Sequence, residues 1–272
     1  MLQKIKETTG YIRQCVNFEP EIGIILGTGL GNLANDIEVV KTVPYKEIPN
    51  FPVSTVQGHK GQLVFGYLGG KKVVAMQGRF HYYEGYTMQQ VTFPVRVMNA
   101  LGIKLLIVSN ASGGMNPTFK TGDIMVITDH INHFGTNPLI GPNIDELGPR
   151  FPEMSEAYDH RYIKLAFEVA EECNIHLQRG VYIGVTGPTF ETPAEYRFFH
   201  IAGADAVGMS TVPEVIVARH SGLPVFALSV ITDLGGGSIA EKPTHEEVQQ
   251  AANAAEPRMT LIIKKMVERI KF

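Results

Sequence analysis

The sequence has little cysteine and no long apolar stretch, and both shortages exclude classes of protein. Its two cysteines, Cys15 and Cys173, lie outside any metal-binding or redox spacing, and two thiols cannot form a disulfide framework. No apolar run is long enough to cross a bilayer, and the N-terminal residues lack the apolar core of a signal peptide. We therefore expect a soluble, cytoplasmic protein that has reduced cysteines and no membrane partner.

An excess of positive charge is missing as well. The 272 residues include 24 lysines and arginines and 27 aspartates and glutamates, which gives a formal net charge of -3. The basic residues are scattered, so no basic surface is expected to attract a nucleic acid. The sequence also lacks internal repeats, low-complexity tracts and a cluster of metal ligands. We expect neither a nucleic-acid partner nor a bound metal.

Short apolar runs rich in β-branched residues recur along the chain and indicate buried strands. They span residues 22–26, 63–67, 73–76, 105–108, 124–127, 181–185 and 225–231. Stretches with helical spacing lie between them, one after Thr87 and another from Ser155 to about Cys173. Strands that alternate with helices predict an α/β fold. The length suggests one or two domains, although α/β folds of this size are often single, and no linker divides residues 1–272.

Three threonines are each followed three residues later by a glutamate, which is the pattern of a helix capping box. They are Thr192, Thr211 and Thr244. Each is predicted to begin a helix. Before the third of these starts, the three consecutive glycines at 235–237 predict a mobile loop that could close over a site.

The stretch "LGTGLGN" at 26–32 joins a predicted strand to a glycine-rich turn. Such a turn can present backbone amides to an anion, and Thr28 can add a hydroxyl. A dinucleotide site is disfavoured, because Asn32 stands where the third glycine of that fingerprint belongs. The acidic residue about twenty positions on, Glu47, lies between prolines rather than at a strand end. A purely structural turn and an oxyanion site remain as alternatives.

The stretch "QGRFHYYEG" at 77–85 follows another predicted strand. Arg79, His81 and Tyr83 alternate along it, so in an extended segment their side chains project to the same side. Arginine and histidine are good donors to a phosphate or carboxylate, and a tyrosine can lie over a sugar or a ring. The alternative is a surface turn whose aromatic residues fill a gap in the core.

Small residues in "SNASGGMNP", 109–117, would let a ligand approach the end of a strand, although an ordinary tight turn would look the same. Ser112 lies outside any nucleophile-elbow motif. In "DAVGMSTVPE", 205–214, Ser210 precedes a helix start and could hold an anion with the free amides there. Met209 could contact a ligand or simply fill the core.

One further stretch, 187–195, suits a flat heterocycle. Phe190 and Glu191 together offer stacking and hydrogen bonds, although Glu191 could equally complement a helix dipole. Asp233 ends a strand, and His245 is a lone histidine in a first helical turn, where a structural role is the usual one. The inventory contains no activated serine, cysteine or lysine, which favours a reaction in which bound phosphate is the nucleophile.

Long segments of the chain, in family order, resemble the trimeric purine nucleoside phosphorylases. They include "GHKGQLVFG", "QGRFHYYEGY", "SNASGGMNP", "GPRFPEMSEAYD", "GPTFETPAE" and "GADAVGMSTVPEVIVARH". The resemblance implies a single α/β domain with a mixed central sheet that curls into a distorted barrel, flanked by helices, and a homotrimer. It also implies phosphorolysis of purine (2′-deoxy)ribonucleosides, with inorganic phosphate as co-substrate and no cofactor.

The resemblance assigns roles to fourteen residues. Phosphate would be bound by Thr28, His59, Arg79, His81, the backbone amide of Ala111, and Ser210. The ribose would contact Tyr83, Met209, His245 and, from the neighbouring subunit, Phe151. The base would contact Phe190, Glu191, Val207 and Asp233. His81, Glu191 and Asp233 would take the catalytic roles.

At one position the sequence departs from the family pattern. Members that prefer inosine and guanosine usually have asparagine where this chain has Asp233, and an ionised carboxylate cannot donate to the O6 atom of a 6-oxopurine. Glu191 can nevertheless accept a hydrogen bond from the N1–H group that 6-oxopurines have. Acceptance of adenosine is therefore a hypothesis. The alternatives are a 5′-methylthioadenosine phosphorylase and a non-catalytic nucleoside- or phosphate-binding protein.

Overall fold

The computed structural model describes residues 1–28, 31–53, 60–235 and 244–272, which form six α-helices and nine β-strands. The helices are α1 (Leu2–Cys15), α2 (Met88–Leu101), α3 (His160–Glu172), α4 (Pro193–Ile201), α5 (Val212–His220) and α6 (His245–Arg269). The strands are β1 (Ile22–Leu26), β2 (Glu38–Pro44), β3 (Gln62–Leu68), β4 (Lys71–Gln77), β5 (Leu105–Gly114), β6 (Ile124–Asn132), β7 (Leu177–Gly184), β8 (Ala206–Gly208) and β9 (Val225–Leu234). None of the described helices has both the length and the hydropathy that a membrane span requires.

All nine strands belong to one mixed sheet. Their order is β2-β3-β4-β1-β5-β8-β7-β6-β9, and β9 also pairs with β5. This second pairing closes β5, β8, β7, β6 and β9 into a five-stranded barrel, while β1 to β4 extend from it as an open sheet. The predicted α/β domain, with a mixed sheet that curls into a barrel between helices, is confirmed.

Each of the seven predicted strands is present, and two further strands had no clear signal. In β2, which pairs only with β3 at the edge of the sheet, Val39 and Val40 are exposed. Because the side chains of an edge strand are little buried, its sequence contains no run of buried apolar residues. The second, β8, is only three residues long, and three residues are too few to show a period.

The core consists of one large cluster that extends from Ile5 in α1 to Ile270 beyond α6, and a smaller one around Tyr196 and Phe199 of α4. The strands β1, β5 and β9 are parallel neighbours at its centre, and most of their residues are buried. Helices α1 and α2 pack together, as do α2 and α5, and α3 and α6. Because the central strands are parallel, their carboxyl ends meet at one edge, where ligand sites form in such sheets.

Two of the three predicted helix starts are capping boxes in the structure. The hydroxyls of Thr192 and Thr244 accept hydrogen bonds from the amides of Glu195 and Glu247, whose carboxylates accept in return. Helix α3 starts at His160, later than the sequence pattern predicts, because Asp159 is its cap. The predictions for His59 and for a loop that closes over the site concern residues 59 and 236–243, which lie outside the described ranges.

The prediction that Thr211 caps a helix through a box with Glu214 is wrong. Thr211 has φ 70° and ψ -54°, and its side chain accepts no capping hydrogen bond. Asn110 donates to its hydroxyl instead, at 2.7 Å. The Glu214 carboxylate pairs with Arg79. The capping box that the local spacing predicts is therefore replaced by two contacts with residues more than 100 positions away in the sequence.

Candidate active site

An open cavity of about 700 Å³ lies at the carboxyl ends of β1, β4, β5 and β9. It brings together twelve of the fourteen residues that the sequence singled out. These are Thr28, Arg79, His81, Tyr83, Ala111, Phe190, Glu191, Val207, Met209, Ser210, Asp233 and His245. The other two are His59, outside the described residues, and Phe151, which lies elsewhere on the surface. The same cavity is lined by residues that the sequence reasoning did not select, among them Asn110, Tyr196 and Thr232.

Arg79 lies at one end of the cavity and is almost completely buried, with 1% of its surface exposed. Its Nη1 atom donates to the carbonyl oxygen of Ser109 at 3.1 Å and to the hydroxyl of Ser210 at 2.8 Å. Its Nε atom pairs with Glu214 Oε1 at 3.1 Å. A buried guanidinium requires such partners, and together they fix the direction in which it points. This end of the cavity is therefore a rigid positive corner.

His81 stands beside this corner and is oriented by Glu84. The Glu84 carboxylate accepts from the His81 backbone amide at 2.7 Å and lies 3.2 Å from Nδ1. The imidazole also stacks on the ring of Tyr83, with centroids 4.8 Å apart. Burial lowers the pKa of His81, although Glu84 opposes the shift. The ring is thus a fixed hydrogen-bonding group at the cavity wall.

The segment 77–85 both lines a site and fills the core, and alternate residues take the two roles. Arg79, His81 and Tyr83 line the cavity. Phe80, between them, is buried and packs on Tyr45 at a centroid distance of 5.1 Å. One extended stretch therefore supplies polar groups to the cavity and an aromatic side chain to the core.

The two described residues that directly follow β1, Gly27 and Thr28, likewise combine a structural role with a place in the cavity wall. A Cβ atom on Gly27 would lie 2.6 Å from the carbonyl oxygen of Ser109 and 2.9 Å from Cα of Asn110. Only glycine, which has no side chain, lets these two segments of the backbone approach this closely. Thr28, the next residue, lines the cavity.

Thr211 adopts a backbone conformation that is costly for a β-branched residue, and it does so next to the positive corner. The hydrogen bond from Asn110 Nδ2 holds its side chain. The hydroxyl of Tyr182 accepts from the amide of Ser210 at 3.3 Å. The strained residue thereby directs the Ser210 hydroxyl toward Arg79 at the start of α5.

Another part of the cavity wall combines an aromatic face with acidic groups. Phe190 and Glu191 come from the segment before α4, and Asp233 comes from the end of β9. The Tyr196 hydroxyl donates to Asp233 Oδ2 at 3.1 Å, and the Thr232 hydroxyl donates to Oδ1 at 2.9 Å. Burial raises the pKa of Asp233. Burial, followed by the charge of Asp233, also raises the pKa of Glu191.

The side chains of Tyr83, Met209 and His245 also line the cavity. His245 is the first residue of α6, and the Thr244 cap before it sets the direction in which that helix begins. The lone histidine of the sequence therefore contributes to the cavity. Anion-binding groups, aromatic side chains and acidic groups therefore line a single cavity.

Phe151 lies outside this cavity and has 87% of its surface exposed. Its one described ring contact is with the guanidinium of Arg150, 5.8 Å from the ring centroid. Within one copy of the chain, Phe151 therefore does not contribute to the cavity.

Comparisons with known proteins agree with this arrangement. The model of the phosphorylase superfamily matches residues 21–268. Purine nucleoside phosphorylase 1 of Bacillus subtilis is 53% identical over 98% of both chains, and the purine nucleoside phosphorylase of Rattus norvegicus is 49% identical over 97% of this chain and 94% of its own. Solved structures of the Schistosoma mansoni enzyme superpose closely. The complex with inosine has a TM-score of 0.94 at 44% identity, and the complex with adenosine has 0.95 at 45%, each covering 100% of this chain and 98% of its own.

Proposed function

The chain belongs to the purine nucleoside phosphorylases of the phosphorylase superfamily, and we propose that it catalyses the reversible phosphorolysis of purine nucleosides. The products are a free purine and ribose 1-phosphate, or 2-deoxyribose 1-phosphate from a deoxynucleoside. The observation that carries the proposal is that one cavity is lined both by the Arg79 corner and by the Phe190, Glu191 and Asp233 group. These two sets of groups match the two substrates that the reaction must bring together.

Phosphate binds at the positive corner in this proposal. Arg79, His81, Ser210, Thr28 and the amide of Ala111 surround it, with His59 as a further ligand. The sugar then lies against Tyr83, Met209 and His245. Phosphate is the co-substrate, and the proposed reaction uses neither a metal nor an organic cofactor.

The rate enhancement comes from position and charge. As the glycosidic bond lengthens, positive charge develops on the sugar and negative charge on the purine. Phosphate held beneath the anomeric carbon by the Arg79 corner stabilises the first of these charges. A hydrogen bond or a proton from Asp233 to N7 stabilises the second. Glu191 holds the pyrimidine ring of the base, which stacks on Phe190 and touches Val207.

The proposed substrates are inosine and guanosine, with adenosine as a further one. The Schistosoma mansoni relative, at 44–45% identity, has been crystallised with inosine, guanosine and adenosine. Glu191 and His245 favour ordinary nucleosides over 5′-methylthioadenosine, because a carboxylate accepts from N1–H and a histidine can meet a 5′-hydroxyl. A phosphorylase for 5′-methylthioadenosine and a non-catalytic binding protein are the alternatives.

The proposal includes a cytoplasmic homotrimer that serves purine salvage. Exposed Phe151 closes the sugar site of the neighbouring subunit in such an assembly, and exposed Ile140 lies on the same surface. Sedimentation is the test of the assembly. An active monomer at assay concentration would contradict the role of Phe151.

The test of the function is release of free base from inosine, guanosine, adenosine and 5′-methylthioadenosine, each with and without inorganic phosphate. We expect phosphate-dependent release from inosine and guanosine. Release only from 5′-methylthioadenosine would assign the chain to that alternative. Binding of nucleoside without any release would leave only a binding protein.

A further inference from the structure

A second open cavity, of about 520 Å³, lies apart from the candidate active site. It is lined by α2, by α5 and by the segment 138–147, and no described residue lines both cavities. Much of its wall is apolar and includes Leu139, Ile144, Leu147 and Val217. Two buried polar side chains, Arg96 of α2 and His220 of α5, interrupt this apolar wall.

Arg96 brings a positive charge to the second cavity without a matching negative charge. The residue is 8% exposed, and its Nη1 atom donates to the carbonyl oxygen of Leu147 at 3.2 Å and to the hydroxyl of Ser221 at 2.6 Å. Its Nε and Nη2 atoms make no hydrogen bond to the described residues, and no described carboxylate pairs with the guanidinium. Burial lowers its pKa to about 10, so the group is charged at neutral pH. Because a buried charge is usually paired, the Nε and Nη2 edge is suited to an anion.

His220 supplies a second polar group to the same cavity. It is 3% exposed, and neither of its ring nitrogens forms a hydrogen bond of good geometry with the described residues. The backbone of Pro149 lies close to the ring, but a proline offers only its carbonyl oxygen and can accept from one nitrogen alone. The other nitrogen would still need a partner. Burial, followed by the charge of Arg96, lowers the pKa of His220, so the two side chains act on one another.

We propose that the second cavity binds a small monocarboxylate with a short aliphatic body, of which butyrate is an example. The carboxylate accepts from Nε and Nη2 of Arg96 in the bidentate arrangement that a guanidinium favours, and it also contacts His220. No acidic side chain among the described residues lines the cavity, so none competes with this anion. The site is independent of the proposed phosphorolysis, because the two cavities have different walls.

The lining of the cavity favours a carboxylate over a phosphate. The Nε and Nη2 edge offers donors to two oxygen atoms, which is the number that a carboxylate has. A phosphate has oxygens on every side, and those turned away from Arg96 would meet Leu139, Ile144 and Val217, which offer them no side-chain donor. An aliphatic chain in the same place buries apolar surface instead.

Isothermal titration calorimetry with butyrate at pH 7 tests the site. Inorganic phosphate is present in excess, and the titration is repeated with Arg79→Ala, so that binding at the candidate active site is recognised. We expect one butyrate per chain in both proteins, with a Kd on the order of 1 mM or lower. Butyramide, which has the same body without the charge, should bind at least about tenfold more weakly. No binding of butyrate, equal binding of butyramide, or loss of binding in Arg79→Ala would each overturn the proposal.

Substitution of the two polar side chains locates the bound anion. Arg96→Lys keeps the charge but not the fork, and His220→Phe keeps a ring but not the nitrogens. Each should weaken butyrate binding about tenfold, whereas Arg13→Lys, on the exposed side of α1, should bind like the parent. A cooperative unfolding transition shows which variants are folded. Parental affinity in folded Arg96→Lys protein would overturn the proposal.

The imidazole signals of the parent protein provide a check that needs no folded variant. Butyrate should shift the nuclear magnetic resonance signals of the His220 ring and leave those of exposed His160 unchanged. Unchanged His220 signals at saturating butyrate would overturn the proposal.

A carboxylate side chain from a second copy of the chain is the competing occupant. Ile140, with 64% of its surface exposed, lines both this cavity and the one beside Phe151. We expect the affinity for butyrate to be the same above and below the protein concentration at which the chain assembles. An affinity that falls as the chain assembles would assign the cavity to the contact between subunits and overturn the proposal.

Discussion

The Nε atom of Arg79 and Oε1 of Glu214 form an ion pair at 3.1 Å, and both side chains are almost fully buried. The pair joins the segment after β4 to α5. Because Arg79 also donates to Ser210 at the start of that helix, one guanidinium connects the two elements that frame the positive corner. The orientation of Arg79, the proposed ligand of phosphate, thus depends on its contact with Glu214.

We expect Glu214→Gln to weaken phosphate binding. The amide retains the size of the side chain but leaves the buried Arg79 charge without its counter-charge, which should destabilise the fold by about 3–5 kcal/mol. The KM for phosphate should rise about tenfold as the guanidinium reorients. Glu268→Gln, in an exposed pair with Lys265, is the control. A parental KM for phosphate in a folded Glu214→Gln protein would show that the pair serves stability alone.

Arg79→Ala should lower kcat/KM by about two to three orders of magnitude, because it removes a preorganised charge from the proposed phosphate site. Arg79→Lys should recover little, since an ammonium group cannot reproduce the geometry of the guanidinium fork. Steady-state kinetics with phosphate as the varied substrate provide the measurement. An unchanged rate of phosphorolysis in either variant would refute the role assigned to Arg79.

The sequence predicted the fold wherever burial was strong and local. Apolar β-branched runs marked the seven strands that lie mainly in the core, and exposed Val39 and Val40 explain why β2 gave no such signal. The cavity was also predictable where its residues share one motif, as Arg79, His81 and Tyr83 do.

Contacts between distant segments were not predictable. The Thr211–Glu214 spacing matches a capping box, but the fold directs Glu214 to Arg79 and Thr211 to Asn110. Tyr196 follows the capping glutamate of α4, and nothing in that local pattern distinguishes it from a core residue. Only the folded structure brings Tyr196 of α4 next to its partner Asp233 of β9.

Gly27→Ala should destabilise the protein by about 1–3 kcal/mol, because the added methyl group meets the backbone of β5 at Ser109 and Asn110. Gly10→Ala is the matched control. Gly10 lies inside α1 with open space around it, so alanine should stabilise that helix by up to about 1 kcal/mol. Denaturant unfolding measures both changes, and equal effects of the two substitutions would contradict the close approach of β1 and β5.

Acid should destabilise the protein through His130. Burial lowers the pKa of His130 to about 4, and its Nδ1 lies 3.0 Å from the Tyr158 hydroxyl. Below pH 6.5 the unfolded chain binds a proton here that the folded protein does not, so stability falls as the pH falls from about 6.5 to 4. The loss from this group should reach about 3 kcal/mol. Unfolding of His130→Gln should depend less on pH, whereas exposed His160→Gln should behave like the parent.

Asp233→Asn should raise the inosine-to-adenosine ratio of kcat/KM about tenfold or more. The amide donates to O6 of a 6-oxopurine without needing a proton. It also removes the ionised acceptor that the 6-amino group of adenosine requires. The amide has no acidic proton to lose, so activity toward inosine should persist to higher pH than in the parent. The measurement is base release from both nucleosides between pH 6 and pH 9. An unchanged ratio at every pH would mean that Asp233 does not contact the 6-position of the base.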